Sequence, residues 1–212
     1  MLRINEIFHS LQGESTHAGR PCVFIRLTGC NLRCVWCDTA YAFHQGVSMA
    51  VDEVVDRTRR FGCDLVEVTG GEPLLQPEAP ELMEALLACG FEVLLETGGS
   101  VPIDEVPEGV RRIVDVKCPG SGEHERNHWA NLDLLRRGDE VKFVIADRAD
   151  YEWAAHVVRE RELHRRVPVL FSAVHGGLDA GHLAGWVLAE GLPVRVQIQL
   201  HKLLWPGVER GV

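Results

Sequence analysis

Cys30, Cys34 and Cys37 fall within eight residues in the stretch GCNLRCVWCDT. Three thiolates on one loop can hold three corners of a [4Fe–4S] cube. Clusters that only carry electrons are normally closed by a fourth cysteine, whereas a catalytic metal keeps a position free for an exchangeable ligand. A C-x3-C-x2-C loop therefore points to an iron–sulfur centre with one open iron. The competing reading is a structural zinc site completed by a nearby histidine, His44 being the candidate.

Polar residues interrupt runs that are otherwise apolar. Phe24, Arg26 and Thr28 alternate onto one face of the run 23–29, and Leu65, Glu67 and Thr69 onto one face of 65–71. Glu96, Lys117, Lys142, Arg195, Gln197 and Gln199 interrupt four later runs. An unpaired charge inside a sheet costs several kcal/mol, of the order given for buried ions. Either these residues pair internally, Arg26 with Glu67 for instance, or together they line a polar cavity at strand ends.

The runs that must position them are β-branched and apolar: 23–29, 65–71, 91–99, 111–119, 139–145, 167–174 and 194–200. Segments of helical period lie between several of them. Ser48 is expected to open a helix carrying Val51, Val54, Val55 and Phe61; residues 77–89 carry Leu82, Leu86 and Leu87, with Gly90 as the stop. Asp150 and Asp179 are expected to open two more, the second facing Leu183, Trp186 and Val187 inward and ending at Gly191. Residues 119–137 read as loop with one poor helix.

Such alternation predicts an α/β fold with parallel strands. At 212 residues the chain is shorter than the ~250 typical of a complete eight-unit barrel, so a partial (β/α) barrel in one domain, 1–212, is expected.

A net charge of −9 with scattered Lys and Arg works against nucleic acid or an anionic membrane as partner and favours a small-molecule substrate. No apolar run reaches the ~18 residues of a spanning helix, and the first ten residues lack a signal-peptide pattern, so a cytoplasmic protein is expected. Seven cysteines in a reducing compartment do not predict disulfides, and Cys22, Cys63, Cys89 and Cys118 are expected to be buried or inert thiols.

The cysteine loop together with TGGEP (69–73) resembles the radical S-adenosylmethionine enzymes, which have a modified partial barrel of this type. The resemblance extends over most of the chain. EIFHSLQGEST (6–16), CDT, TGGEPLLQ (69–76), LETGG (95–99), DVKCP (115–119) and QLHKLLW (199–205) resemble, in that order, the 7-carboxy-7-deazaguanine synthase family.

The resemblance implies conversion of 6-carboxy-5,6,7,8-tetrahydropterin to 7-carboxy-7-deazaguanine with loss of ammonia, begun by a 5′-deoxyadenosyl radical. It implies a cluster on Cys30, Cys34 and Cys37, and a magnesium ion on Thr39 although Asp38 carries the charge. Pterin contacts are implied for Leu11, Gln12, Gly13, Glu14, Arg26, Thr69 and His201, with Arg26 offering a planar fork to a carboxylate. Cofactor contacts are implied for Trp36, Cys37, Asp38, Gly71, Glu72, Asp115, Lys117 and Ser172, and Gly207 is a candidate for closing the pocket. An electron donor such as flavodoxin or ferredoxin and a homodimer are further expectations. The cysteine spacing and small size also fit an enzyme that activates glycyl-radical proteins.

Overall fold

The computed structural model describes residues 1–212. Nine strands form one open, mixed sheet in the order β3-β1-β2-β4-β5-β6-β7-β8-β9. They are β1 (Leu2–Leu11), β2 (Pro21–Leu27), β3 (Val47–Met49), β4 (Leu65–Gly70), β5 (Glu92–Thr97), β6 (Arg111–Asp115), β7 (Glu140–Ile145), β8 (Val169–Ala173) and β9 (Arg195–Gln197). From β2 through β9 every pairing is parallel, while β1 pairs antiparallel with both β2 and β3. The sheet is thus a splayed part-barrel with an antiparallel edge, and the seven runs read from sequence supply its parallel strands.

Helices α1 (Val51–Arg59), α2 (Ala79–Ala88), α3 (Arg148–Glu160), α4 (Ala180–Glu190) and the short α5 (Leu200–Leu204) complete the chain. Ser48 does not open α1; it lies in β3, held by pairing with Arg3, and Phe61 falls beyond the helix end, exposed. Asp150 does not cap α3 either. Asp147 does, accepting from the Asp150 amide at 2.9 Å, which leaves the buried Asp150 carboxylate to receive the amides of Gly120 and Ala146. Asp179 caps α4 through the His182 amide as expected, and Gly191 ends it at φ +57°. Residues 119–137 form three short 3₁₀ turns.

Strand alternation sorts the two faces. Val23, Ile25, Val66, Val68, Val93, Leu95, Val141 and Phe143 point outward and, with Leu82, Leu86, Ala154 and Val158 of the helices, make the main core. The inward series changes character along each strand. Phe24, Leu65, Leu94 and Ile113 form a small apolar cluster with Phe8 and Cys22; two residues further on stand Arg26, Glu67, Glu96 and Asp115. A buried apolar base therefore gives way to charge toward the carboxyl ends of the strands, where α/β folds bind ligands.

The segment Gln12–Arg20, between β1 and β2, spans the opening that the missing strands leave. Its Gln12 amide donates to Glu67 on β4, Thr16 to Glu140 on β7, and the Ser15 backbone amide to Gln197 Oε1 of β9 at 2.9 Å. This floor loop crosses the barrel and substitutes for further strands.

Of the four other cysteines, Cys22 and Cys118 are buried and Cys63 partly so. Cys89 is not among the buried ones. It is exposed, at the C-terminal cap of α2, with the Arg59 guanidinium 2.9 Å from its sulfur.

Candidate active site

The three cysteines lie on the loop leaving β2, and hydrogen bonds from three other loops fix it. Gly29 O accepts the Glu72 amide at 2.8 Å after β4, Asn31 Oδ1 accepts the Ser100 hydroxyl at 3.1 Å after β5, and the Arg33 and Val35 amides donate to Glu123 and to Ser121 O after β6. Leu32, 2% exposed, anchors the loop in the interior. Gly71 is required by close approach: a Cβ there would sit 2.2 Å from Gly29 O and 2.6 Å from Cys30 Cβ. The Gly-Gly segment thereby lets the end of β4 press against the cysteine loop.

Cys30, Cys34 and Cys37 line one cavity, which holds about 1350 Å³ of empty space, part of it open to solvent. No group of three His, Cys, Asp or Glu side chains is drawn closely enough around one point to hold a single metal ion. Zinc at ~2.3 Å from each sulfur would need that convergence, and His44 is exposed and outside the cavity. Thiols separated around a cavity suit a larger cluster. Burial holds the Cys30 and Cys34 thiols above their ordinary range, so metal binding must displace protons there.

Leu11, Gln12, Gly13, Glu14, Arg26, Trp36, Asp38, Thr39, Thr69, Gly71, Asp115, Lys117 and His201 also stand on this wall. Two expected residues do not. Glu72 is fully buried, its carboxylate taken up by the Thr97 hydroxyl at 2.8 Å and the amides of Gly98 and Leu74. It clasps the ends of β4 and β5, and its backbone rather than its carboxylate meets the cysteine loop. Ser172 is 2% exposed and lies off the cavity. Arg195 and Gln197 are not cavity-lining, and Gly207 is exposed while Val212 lines the wall.

Arg26 does not pair with Glu67. Its Nε donates to Glu6 at 2.8 Å, Tyr41 donates to the same oxygen, and the guanidinium lies over the Phe8 and Tyr41 rings. Held by Nε, it keeps both terminal amino groups for an anion in the cavity, the bidentate geometry that carboxylates favour. Burial opposes its charge, but Tyr41 and Glu6 keep it firmly cationic.

Asp38 accepts from Lys202 at 2.5 Å and from Gln199 at 3.3 Å, so its charge is already balanced. The Thr39 hydroxyl, by contrast, makes no cap bond to the turn that follows it and lies 3.8 Å from the Cys37 sulfur. Opposite, Asp115 receives the Lys117 ammonium at 2.8 Å on Oδ2, while its buried Oδ1 has no partner. Burial works against the Lys117 ammonium, and Asp115 more than offsets it. An orphaned acceptor beside an ammonium held by the same carboxylate fits a ligand carrying both donors and a carboxylate.

Glu14, Glu67, Glu96, Asp115 and Lys142 meet where the floor loop passes under the cavity. Lys142 Nζ lies 3.0 Å from Glu14 and 3.8 Å from Asp115 and also donates to Glu96. Glu96 and Lys142 announce themselves in the sequence only as polar breaks in strands. Lys202 gives no such signal, because its partner Asp38 is 164 positions away.

The floor loop and α5 fit against each other without slack. Gly13 O accepts the Leu200 amide at 2.9 Å, and a Cβ on Gly13 would fall 2.2 Å from His201 Nδ1 and 3.1 Å from its backbone nitrogen. Gly13→Ala is therefore expected to detach the C-terminal segment, seen as faster proteolysis within residues 198–212 at an almost unchanged melting temperature. Unchanged cleavage kinetics would refute this packing.

A cysteine loop at the head of the first parallel strand of a part-barrel, facing a Gly-Gly turn, defines the class: a Radical SAM superfamily model matches residues 24–159. Similarity to individual proteins is closer than that. The chain is 47% identical over 226 residues to a 7-carboxy-7-deazaguanine synthase of Koribacter versatilis, covering 100% of both. It is 45% identical to one of Chlorobaculum tepidum, covering 100% of this chain and 97% of that one. The crystal structure of QueE from Escherichia coli matches its fold with TM-score 0.75 at 24% identity, over 94% of each chain. The chain belongs to the 7-carboxy-7-deazaguanine synthase family of radical SAM enzymes. These relatives favour neither an activator of glycyl-radical proteins nor a zinc-stabilised binding module.

Proposed function

We propose that this chain, acting as one domain, is a radical SAM lyase that converts 6-carboxy-5,6,7,8-tetrahydropterin to 7-carboxy-7-deazaguanine, the product for which its relatives are named, with loss of ammonia. The observation that carries this reading is the single cavity on which the three cysteines, Arg26 and the Gln12–Glu14 floor loop converge. When bound, a [4Fe–4S] cluster and S-adenosylmethionine supply the one-electron cleavage that starts the ring contraction. Cys30, Cys34 and Cys37 hold the cluster. Gly71, Asp115 and Lys117, with Trp36 and Asp38 alongside, would hold the cofactor by its amino, hydroxyl and carboxylate groups.

For the pterin, Arg26 takes the carboxylate. Leu11, Gln12, Gly13 and Glu14 read the donor-rich pyrimidine edge, and Thr69 and His201 line its sides. Burial holds the His201 imidazole below its ordinary pKa, so it serves near neutral pH as an uncharged hydrogen-bonding group. Water is kept from the reacting carbon by α5 and the chain end, which the Lys202–Asp38 pair ties across the mouth.

Thr39 would supply the protein's oxygen to a magnesium ion, which favours oxygen ligands. The Thr39 hydroxyl, which makes no cap bond and meets only the Cys37 sulfur at 3.8 Å, and the already neutralised Asp38 support this choice. Thr39→Val protein is expected to lose the rise in turnover on adding magnesium while retaining cluster iron and slow cofactor cleavage without substrate. A full magnesium response in that variant removes Thr39 from the metal.

Electrons come from a flavodoxin or ferredoxin. Support is the loop position of Val35, 78% exposed between two cluster cysteines. The chain works as a homodimer, supported by exposed Ile198, Leu203, Leu204 and Val208; a monomer mass by sedimentation at micromolar concentration would end that reading. No helix is long and apolar enough to cross a membrane. The deciding experiment is anaerobic: cluster-loaded protein, reductant, S-adenosylmethionine and the carboxytetrahydropterin should yield 7-carboxy-7-deazaguanine. Cofactor cleavage without pterin turnover would refute the assignment.

A further inference from the structure

Four acidic side chains from four separate elements crowd the floor of the cavity: Glu14 from the floor loop, Glu67 from β4, Glu96 from β5 and Asp115 from β6. Lys117 holds Asp115 alone, whereas Lys142, on β7 and 5% exposed, bonds both Glu14 and Glu96 and lies 3.8 Å from Asp115. Buried ion pairs add little to stability compared with apolar packing. Lys142 and its carboxylate partners together could be replaced by apolar residues at little cost to the fold, so the presence of these charges calls for another explanation.

The hydrogen bonds on Glu14 supply one. Oε1 accepts from Gln199 at 2.9 Å, and Oε2 from Lys142 at 3.0 Å and Gln197 at 3.3 Å. A carboxylate offers about four acceptor positions. Three are filled, all from β7, β9 and the segment after it, and Oε1 retains a free position at the cavity.

We propose that Lys142 is a positioning residue for the pterin: it fixes Glu14 as an open carboxylate acceptor for the amino and ring N–H donors of the substrate edge. This rests on the reading that Glu14 faces the pterin. The neighbours of Glu14 make the need plain. Asp38, Glu67 and Glu96 are acidic, His201 is held neutral by burial, and Gln197 and Gln199 carry no charge, so only Lys142 among the groups packed on Glu14 opposes its protonation by charge.

The two floor carboxyls differ accordingly. Burial alone would raise Glu14, but the Lys142 charge and the Gln199 and Lys142 hydrogen bonds bring it below the usual carboxylate range. Glu67 is pushed well above that range by burial and by Glu96. Lys142 and the hydrogen bonds therefore favour the ionised form of Glu14, whereas burial favours the protonated form of Glu67. Removing Lys142 leaves burial opposing the Glu14 charge with no cation bonded to it. Because substrate binding needs the ionised form, affinity in such a variant falls as pH falls through the raised pKa, whereas the native protein loses affinity only in more acidic solution.

The test is equilibrium binding of 6-carboxypterin, the unreactive oxidised analogue, to cluster-loaded protein with S-adenosylmethionine and no reductant. Native protein is expected to bind equally between about pH 6 and pH 8. K142M should bind about tenfold or more weakly at the acidic end and recover as pH rises. E14Q should be weak at every pH, and K142M/E14Q no weaker than E14Q, since the two act through one interaction.

K142R keeps the charge and should bind independently of pH. It carries the test should K142M fail to fold, and acid-sensitive binding by K142R would overturn the proposal. So would K142M binding within about twofold of native throughout, or a loss that is the same at every pH, which marks a purely structural role. Absence of binding by the native protein overturns instead the pterin reading on which the proposal rests.

Discussion

Cys34→Ala protein is expected to produce no 5′-deoxyadenosine above background and to lose most of its cluster iron. The reason is geometric. Cys30, Cys34 and Cys37 sit on one loop pinned at Gly29, Asn31, Arg33 and Val35 to three neighbouring loops, so no other thiol can move in to replace a lost ligand. Of the remaining cysteines, Cys22 is buried at the apolar base, Cys118 in the main core, and Cys63 and Cys89 lie away from the cavity. Two thiolates on a cube leave two irons open, and such clusters are readily lost. Iron analysis, visible absorbance and chromatography of cofactor products check this together. Native rates of cofactor cleavage by Cys34→Ala would sink the radical reading of the site.

The second large effect concerns the scaffold. Arg112 on β6 is 0% exposed and paired with Asp139 through Nε and Nη2, while its backbone amide donates to the other Asp139 oxygen at 3.0 Å. Its remaining donors reach Ile103 O and Leu134 O, so one side chain ties two irregular connections to the outside of the sheet. Asp139→Ala leaves this guanidinium buried without a counter-charge, which costs about 3–5 kcal/mol. With domain stabilities of about 5–15 kcal/mol, that is a large fraction of the total. The denaturant midpoint should drop accordingly, and Arg112→Met with Asp139→Leu should restore most of the loss. A single variant within about 1 kcal/mol of native would show that the pair is not load-carrying in this sense.

Much of the fold is legible along the chain because its signals are local. Seven β-branched runs become the seven parallel strands, and Gly90 and Gly191 follow α2 and α4, both at positive φ. The antiparallel edge is not legible. β1 mixes Glu6, His9 and Ser10 with apolar residues, and β3 is three residues long; β3 exists through pairing with β1, and β1 through pairing with β3 and β2. The misplaced cap at Ser48 follows directly, since a serine that would begin a helix in isolation is claimed first by a strand partner 45 positions away.

The site divides along the same line. Sequence by itself determined the reactive groups: three cysteines at cluster spacing, the Gly-Gly turn, Arg26 on the inward face, and a polar interior implied by Glu96 and Lys142. Each rests on chemistry within a few residues or on strand alternation. Only the tertiary structure decided partners. It gave Arg26 to Glu6 and Tyr41 rather than Glu67, turned Glu72 from the cavity into a clasp, balanced Asp38 with Lys202, and carried the floor loop across to Lys142 and Gln197. Such choices depend on which groups the folded backbone brings within about 3 Å. Charges separated by more than a hundred residues have no periodicity to betray them, and burial then makes their pairing obligatory.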